Sequence, residues 1–207
     1  MTEKINGKTV LTTPFSDEDI SSLQVGDIIY INGDIVTGRD DVHIRATEEG
    51  MDLPADIRGK VLMHAGPIAA GSSEDGYSMI SIGPTTSMRM EKFEYDFIKK
   101  TGVKLIIGKG GMGDRTSEAC REFGAVHCVL PAGNAVVGAA CVEEIYGADW
   151  LDLGMAEAFW RFRAKEFGPL IVSIDTTGRN YFEEKKVGYE RIKEEQIKLI
   201  SPQVRFL

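Results

Sequence analysis

The 207-residue sequence lacks the features that mark several common classes of protein. No apolar run approaches the ~18 residues that a bilayer-crossing helix needs. The start, Met1 to Leu11, has neither the basic nor the apolar block of a secretory leader, so a cytoplasmic protein is expected. Cysteine is scarce: Cys120, Cys128 and Cys141 are odd in number and form no C-x-x-C pair, which argues against a disulfide framework or a zinc site. Positive charge is in deficit, with 24 Lys and Arg against 32 Asp and Glu and a formal charge of −8. Nucleic acid and anionic membrane are therefore not the expected partners, because both require a basic footprint. An anionic small molecule would need a locally basic pocket. Repeats, low-complexity tracts and Ser/Pro linkers are also missing, so one domain is expected over residues 1–207, with 183–207 a charged tail.

What is present is ordinary globular material, 43% hydrophobic and 27% charged, enough for one substantial core. Ser16 followed by Asp19 predicts a capped short helix to about Leu23. Asp27 to Ile31, Asn32-Gly33 and Asp34 to Thr37 together predict a hairpin with a two-residue turn. Gly66 to Gly76 reads as a loop of small residues. Tyr77 to Ile82 predicts a strand, Gly83 to Ser87 a turn, and Met88 to Lys100 a helix ended by Gly102. The same grammar then repeats: strand Val103 to Ile107, glycine loop Gly108 to Gly113, helix Asp114 to Phe123 with Asp114 as N-cap, and strand Ala125 to Leu130. Such a succession implies parallel pairing. Asn134 to Tyr146 is an apolar segment. Phe159 to Glu166 alternates as a strand does, and Pro169 to Ile174 is a second apolar run before the turn at Asp175 to Gly178, so a late hairpin-like pair is expected.

Three segments could carry chemistry. In Gly83-Pro84-Thr85-Thr86-Ser87-Met88-Arg89, amides at a helix start and three hydroxyls offer donors to an anion, and Arg89 can fork onto a carboxylate; a plain helix cap with a surface Arg is the competing reading. Gly108-Lys109-Gly110-Gly111-Met112-Gly113 matches G-x-G-x-x-G, yet the next strand ends at Val129-Leu130-Pro131 with no acid for a ribose, and no G-K-[ST] follows. Dinucleotide binding and nucleotide triphosphate hydrolysis are both disfavoured. In Thr37-Gly38-Arg39-Asp40-Asp41-Val42-His43, a helix would place Arg39 and His43 on one face, with Asp40 and Asp41 in a first turn where the dipole favours acids. His64 and His127 lie in apolar strand contexts and read as core histidines. The three cysteines likewise read as small core hydrophobes rather than metal ligands.

Together GDIIYINGDIVTGRDDVH, GPTTSMRM, GKGGMG and DWLDLGMAEAFW…FGPLIVSID resemble, over roughly residues 10 to 182, the C-terminal domain of class I iron-sulfur fumarases. In two-chain members this domain is the separate β subunit, a form shared with L(+)-tartrate dehydratase. The resemblance implies a swivelling β/β/α domain of the α/β class, a mixed β core with helices packed on one side. It implies a hydro-lyase, with fumarate hydratase first and tartrate dehydratase second, active only with an α subunit whose cysteines ligate a 4Fe-4S cluster; a non-catalytic anion-binding scaffold is the rival from another class. It maps Arg39, Thr86, Arg89 and Lys109 onto substrate-contacting positions and Thr85 onto the catalytic base. Gly38 stands where the family commonly has Ala, and Asp40 and Asp41 are further departures.

Overall fold

The computed structural model describes residues 2–201. In chain order the elements are β1 (Thr2–Ile5), β2 (Lys8–Thr12), α1 (Asp17–Ser21), β3 (Ile28–Thr37), α2 (Asp40–Thr47), β4 (Val61–Met63), β5 (Ile68–Ser72) and β6 (Gly76–Ser81). A 3-10 turn at Ser87–Arg89 leads into α3 (Glu91–Thr101), β7 (Leu105–Gly108), α4 (Asp114–Phe123), β8 (Val126–Val129), α5 (Ala135–Ala140) and β9 (Val142–Asp149). A second 3-10 turn, Leu151–Leu153, precedes β10 (Phe159–Ile174) and α6 (Tyr181–Ile200).

The strands form one 10-stranded mixed sheet that closes on itself. Strands β3, β4, β7 and β8 run parallel, β8 pairs antiparallel with β10, and β10 pairs back onto β3. A five-strand ring results, with β2 and β1 extending from β3, and β9, β6 and β5 from β10. Side chains alternate across the ring wall as strand geometry requires. Val61, Met63, Leu105, Ile107, Val126 and Cys128 face the interior with Phe162, Phe167 and Leu170. Leu62, Ile106 and Ile174 face outward, where α2, α3 and α4 cover them with Val42, Phe97, Ile98 and Cys120. The expected mixed core with helices on one side is this layer; α1 packs elsewhere, its Ile20 joining the interior cluster.

Local signals account for most elements. Ser16 and Asp19 form a reciprocal capping box on α1. Helices α3 and α4 end at Gly102 and Gly124, both left-handed. The N-cap of α4 is Gly113 rather than Asp114, and the capping acid comes from α3 instead. Glu91 accepts from the Gly113 amide at 2.7 Å, the Arg115 amide at 3.0 Å and the Thr116 hydroxyl at 2.6 Å.

Both expected hairpins are replaced by long bent strands. Asn32-Gly33 makes no reversal: β3 runs through it, pairing with β2 before the glycine and β4 after it. Gly33 has φ +98°, and a Cβ there would lie 2.4 Å from Thr13 Oγ1, so the glycine serves a kink and a close approach. Opposite it, β10 runs from Phe159 to Ile174 with register shifts around Phe167, and the Asn32 side chain accepts from the Glu166 amide at 2.7 Å. The turn chemistry is thus overridden by pairing across the ring. The segment Gly66 to Gly76 is not all loop, since β5 within it forms a hairpin with β6. Only the second of the two strand–helix units is a parallel one, β7–α4–β8; β6 pairs antiparallel with β5 and β9. Met88 to Lys100 divides into the 3-10 turn and α3, and the apolar stretch from Asn134 becomes α5 and β9. The expected charged tail is helical from Tyr181, capped by Asn180, and residues 202–207 of it lie outside the described residues. No described helix is long and apolar enough to cross a membrane.

Candidate functional site

The parallel strands bring their carboxyl ends to one edge, the edge at which α/β sheets usually bind ligands. Thr37, Met63 and Ile107 stand in register across β3, β4 and β7, so the residues just beyond them emerge side by side. Arg39 leaves β3 there and Lys109 leaves β7. The Gly83–Ser87 segment lies across the same edge. Its Thr85 amide donates to the His64 carbonyl at 2.7 Å, the Lys109 amide to the Thr85 carbonyl at 3.1 Å, and the Ser87 amide to the Lys109 carbonyl at 3.0 Å. The structure therefore gathers all five expected residues, Arg39, Thr85, Thr86, Arg89 and Lys109, around one edge. The Thr85 and Ser87 amides are consumed by these bonds, so an anion here would meet side chains more than the expected backbone donors.

Gly108 makes the assembly sterically feasible. A Cβ on it would fall 1.6 Å from Ser87 Oγ, so the glycine loop serves contact with the neighbouring turn rather than a nucleotide. The start of α4, where a pyrophosphate would sit, is already filled by Glu91.

Two of the cations carry internal counter-ions. Arg89 forks onto Asp40, donating from Nε at 3.2 Å and from Nη2. Burial pushes the Asp40 carboxyl up, and the guanidinium outweighs it and holds the group below the usual carboxylate range. Asp40 is thus more than the helix-dipole residue its position predicts. Arg39 Nη2 lies 2.9 Å from Glu157, whose carboxyl is raised by burial. Arg39 Nε is buried and has no hydrogen-bond partner among the described residues. Lys109 has no ion-pair partner among them either.

Behind the edge runs a fully buried polar seam between the ring and the helix layer. His43 Nδ1 is 2.6 Å from the Arg39 carbonyl, and His43 Nε2 and His64 Nε2 each lie 3.3 Å from Glu94 Oε2. His64 Nδ1 meets Ser87 Oγ at 3.1 Å, Ser87 Oγ meets His127 Nε2 at 3.2 Å, and His127 Nδ1 meets Ser173 Oγ at 2.7 Å. Burial lowers His64, and burial with the neighbouring His64 lowers His127 to about 3. Burial pushes Glu94 up, but the two imidazoles outweigh it and hold the carboxyl well below its ordinary range. His127 is the satisfied core histidine that its sequence context predicts; His64 is buried as expected, but its Nε2, like His43 Nε2 and both carboxylate oxygens of Glu94, has no hydrogen-bond partner among the described residues.

The sequence reading missed Glu94 and Glu157, and it expected Ser87 as a donor to an anion, whereas the Ser87 hydroxyl is buried and meets His64 and His127. An acid between Phe93 and Phe97 on the buried face of an amphipathic helix was the available signal for Glu94. Among the described residues one group has metal-ligand character, His43, His64 and Glu94, whose ligand atoms lie within 4.8 Å of one another. The thiols are elsewhere. Cys120 is buried in the helix layer and Cys128 in the ring interior, and burial raises both.

Known proteins share this sequence over most of its length. It is 48% identical over 200 residues to the L(+)-tartrate dehydratase subunit beta of Escherichia coli K12, covering 97% of this chain and 99% of that one. A putative L(+)-tartrate dehydratase subunit beta of Methanocaldococcus jannaschii is 41% identical over 183 residues, 86% of this chain and 93% of that one. A putative class I fumarate hydratase of Geobacillus stearothermophilus is 37% identical over 174 residues, 84% of this chain but 33% of that longer protein. The family model described as Fumarase C-terminus matches residues 2–185. With that match and relatives aligned end to end, the chain belongs to the Fumarase C-terminus family.

Proposed function

We propose that this chain is the β subunit of an L(+)-tartrate dehydratase, a hydro-lyase formed with an α subunit that carries a 4Fe-4S cluster. The observation that carries the reading is the end-to-end 48% identity to the Escherichia coli subunit. Sequence motifs alone rank fumarate hydratase first; the 37% match to a protein of that name, over a third of its length, favours the reverse order.

The cluster belongs on the partner, because this chain's buried thiols, raised by burial and split between two cores, do not fit cluster ligation. When bound there, the cluster would supply a Lewis acid to the departing hydroxide. This chain supplies the anion clamp and the proton transfer. The substrate's carboxylates would take the unpartnered Nε of Arg39 and the ammonium of Lys109, and replace Asp40 on the guanidinium fork of Arg89. Thr85 would remove the proton from the carbon next to the one losing hydroxide, leaving an enol that tautomerises to the 2-oxo dicarboxylate. A threonine hydroxyl is a feeble base. The cations beside it stabilise the alkoxide that proton abstraction requires. Thr86 orients the substrate.

Co-expression with the cysteine-bearing α chain and assay on both substrates tests the reading. A higher kcat/KM on L(+)-tartrate than on malate is expected, and the opposite order would make the enzyme a fumarate hydratase. In the active complex Thr85→Ala should lower kcat by about 10²-fold or more with KM nearly intact. Thr86→Ala should act mainly on KM. Parent-rate exchange of the substrate's carbon-bound hydrogen in Thr85→Ala would move the base to the α chain.

A further inference from the structure

Four polar atoms of the buried seam have no hydrogen-bond partner among the described residues: His43 Nε2, His64 Nε2, and Oε1 and Oε2 of Glu94. All three side chains are fully buried, out of reach of bulk water. The rest of the seam is paired, with His43 Nδ1 on the Arg39 carbonyl, His64 Nδ1 on Ser87, and both nitrogens of His127 on serine hydroxyls. The unmet atoms are therefore confined to one place, and they converge, with ligand atoms of all three residues within 4.8 Å of one another. Buried polar groups ordinarily find partners, so a convergent set left over marks a site for something that binds all of them at once.

The separations choose the ligand. A protonated imidazole bonded to a carboxylate closes to about 2.7–2.9 Å. Both Nε2 atoms stand 3.3 Å from Glu94 Oε2, too far and too poorly aligned for that bond. Ligands about 2.0–2.1 Å from a tetrahedral ion stand about 3.3–3.4 Å from one another, whereas neighbouring ligands of an octahedral ion of the same reach stand about 2.9 Å apart. Two edges of the triangle thus already have the tetrahedral length. The outer contacts fit as well, because metal-binding imidazoles ordinarily engage their other nitrogen with a fixed polar neighbour. His43 Nδ1 has the Arg39 carbonyl at 2.6 Å, which can only accept, so a neutral ring keeps Nε2 free to ligate. His64 Nδ1 has the Ser87 hydroxyl at 3.1 Å. The His43 ring is further held by Phe97, with ring centroids 4.4 Å apart, and by His64 at 5.3 Å.

We propose that His43, His64 and Glu94 bind one zinc ion as a closed structural site. Two imidazole nitrogens and a carboxylate, with no thiolate, are a donor set that suits Zn2+. Both Glu94 oxygens lack partners, so the carboxylate can fill the fourth position itself and leave none open for a reacting molecule. The ligands come from α2, from the residue after β4 and from α3, and the ion cross-links these elements beneath the carboxyl edge of the sheet. It thereby pins two turns at once: His43 holds the Arg39 carbonyl, and the His64 carbonyl holds the Thr85 amide. No short sequence motif joins the three residues, which is why spacing alone gives no sign of the site.

The test uses the αβ complex, expressed in zinc-supplemented medium and passed over a chelating resin. Elemental analysis should find one zinc per β chain. X-ray absorption at the zinc edge, to which the iron of the α subunit is invisible, should show only nitrogen and oxygen at about 2.0–2.1 Å, imidazole among them. In Glu94→Gln, zinc affinity read by chelator competition should fall by more than the about 10- to 100-fold that a change outside the ligand set causes. A parent complex without stoichiometric zinc would overturn the proposal, and so would sulfur among the zinc neighbours. Parent-like zinc affinity in Glu94→Gln would overturn it too. If that variant does not assemble, the zinc content and spectrum of the parent still decide. Counting zinc requires no turnover, so the result is independent of which substrate the complex takes.

Discussion

Strands β7 and β8 present two very different faces. Toward the ring interior they show Leu105, Ile107, Val126 and Cys128, all apolar and all buried among other apolar side chains. Toward the helices β7 shows apolar Ile106, but His127 of β8, equally buried, belongs to the line of His43, Glu94, His64, Ser87 and Ser173. The same ring wall therefore separates two kinds of interior. The first depends on volume, and residues of similar size and shape can replace one another. The second depends on partners, because each buried polar group must find a complementary one in a fixed direction. The substrate turns are attached to the second kind.

The comparison can be broken or sharpened by measurement, and the largest effect should come from Glu94, the carboxylate of the seam. Glu94→Ala is expected to cost about 2–5 kcal/mol of stability, because it opens a cavity in the seam and removes the carboxylate that faces two buried imidazoles. Replacing His43 and His64 with Leu together with Glu94→Met should cost less than that single change, since the site is refilled and no buried polar group of the three is left without a partner. Denaturant titration of the three proteins checks both statements. Equal losses would mean that packing alone sets stability on this face.

Next in size is the response to acid. His127 is neutral when folded, its pKa lowered from 6.5 to about 3, so between these values the unfolded chain binds the extra proton. The stabilisation is complete above the unfolded value and is lost as pH falls through the window, by about 1.4 kcal/mol per pH unit at most. His64 is shifted in the same direction. The depressed Glu94 carboxyl adds a loss only below about pH 4.3. Tm should therefore fall between about pH 7 and about pH 5, and fall less steeply in His127→Gln. A flat parent profile would contradict the burial of neutral rings.

The smallest effect belongs to the ring interior. Ile107→Val should cost about 0.5–1.5 kcal/mol, the usual result of removing one buried methylene. A loss as large as that of Glu94→Ala would erase the distinction between the two faces.

Much of this was legible from sequence, and the limits have physical causes. Caps at Ser16, Gly102 and Gly124 are local, and each was readable within four residues. The strand–glycine–helix–strand run from Val103 to Leu130 was equally plain. Asn32-Gly33 misled because its turn preference is weaker than ten residues of pairing on both sides of β3. Arg39, Thr85, Thr86, Arg89 and Lys109 could be named because their motifs are compact, and ring closure was needed to place them on one edge. Glu157 was invisible as the counter-ion of Arg39, since 118 positions separate them and only the register of β10 on β3 brings them together. Glu94 stayed hidden, and the buried placement of Ser87 with it, for the same reason: their neighbours come from other elements.

Glu91 offers a last consequence. A loop with four glycines in six residues, Gly108 to Gly113, would ordinarily sample many shapes. Here its first residues are stitched to Thr85 and Ser87, and its last is held by the Glu91 carboxylate. Both ends are anchored within the same helix–turn unit, so the disorder that glycine permits is surrendered once, when the chain folds. Lys109 then meets an incoming anion with little backbone entropy left to lose.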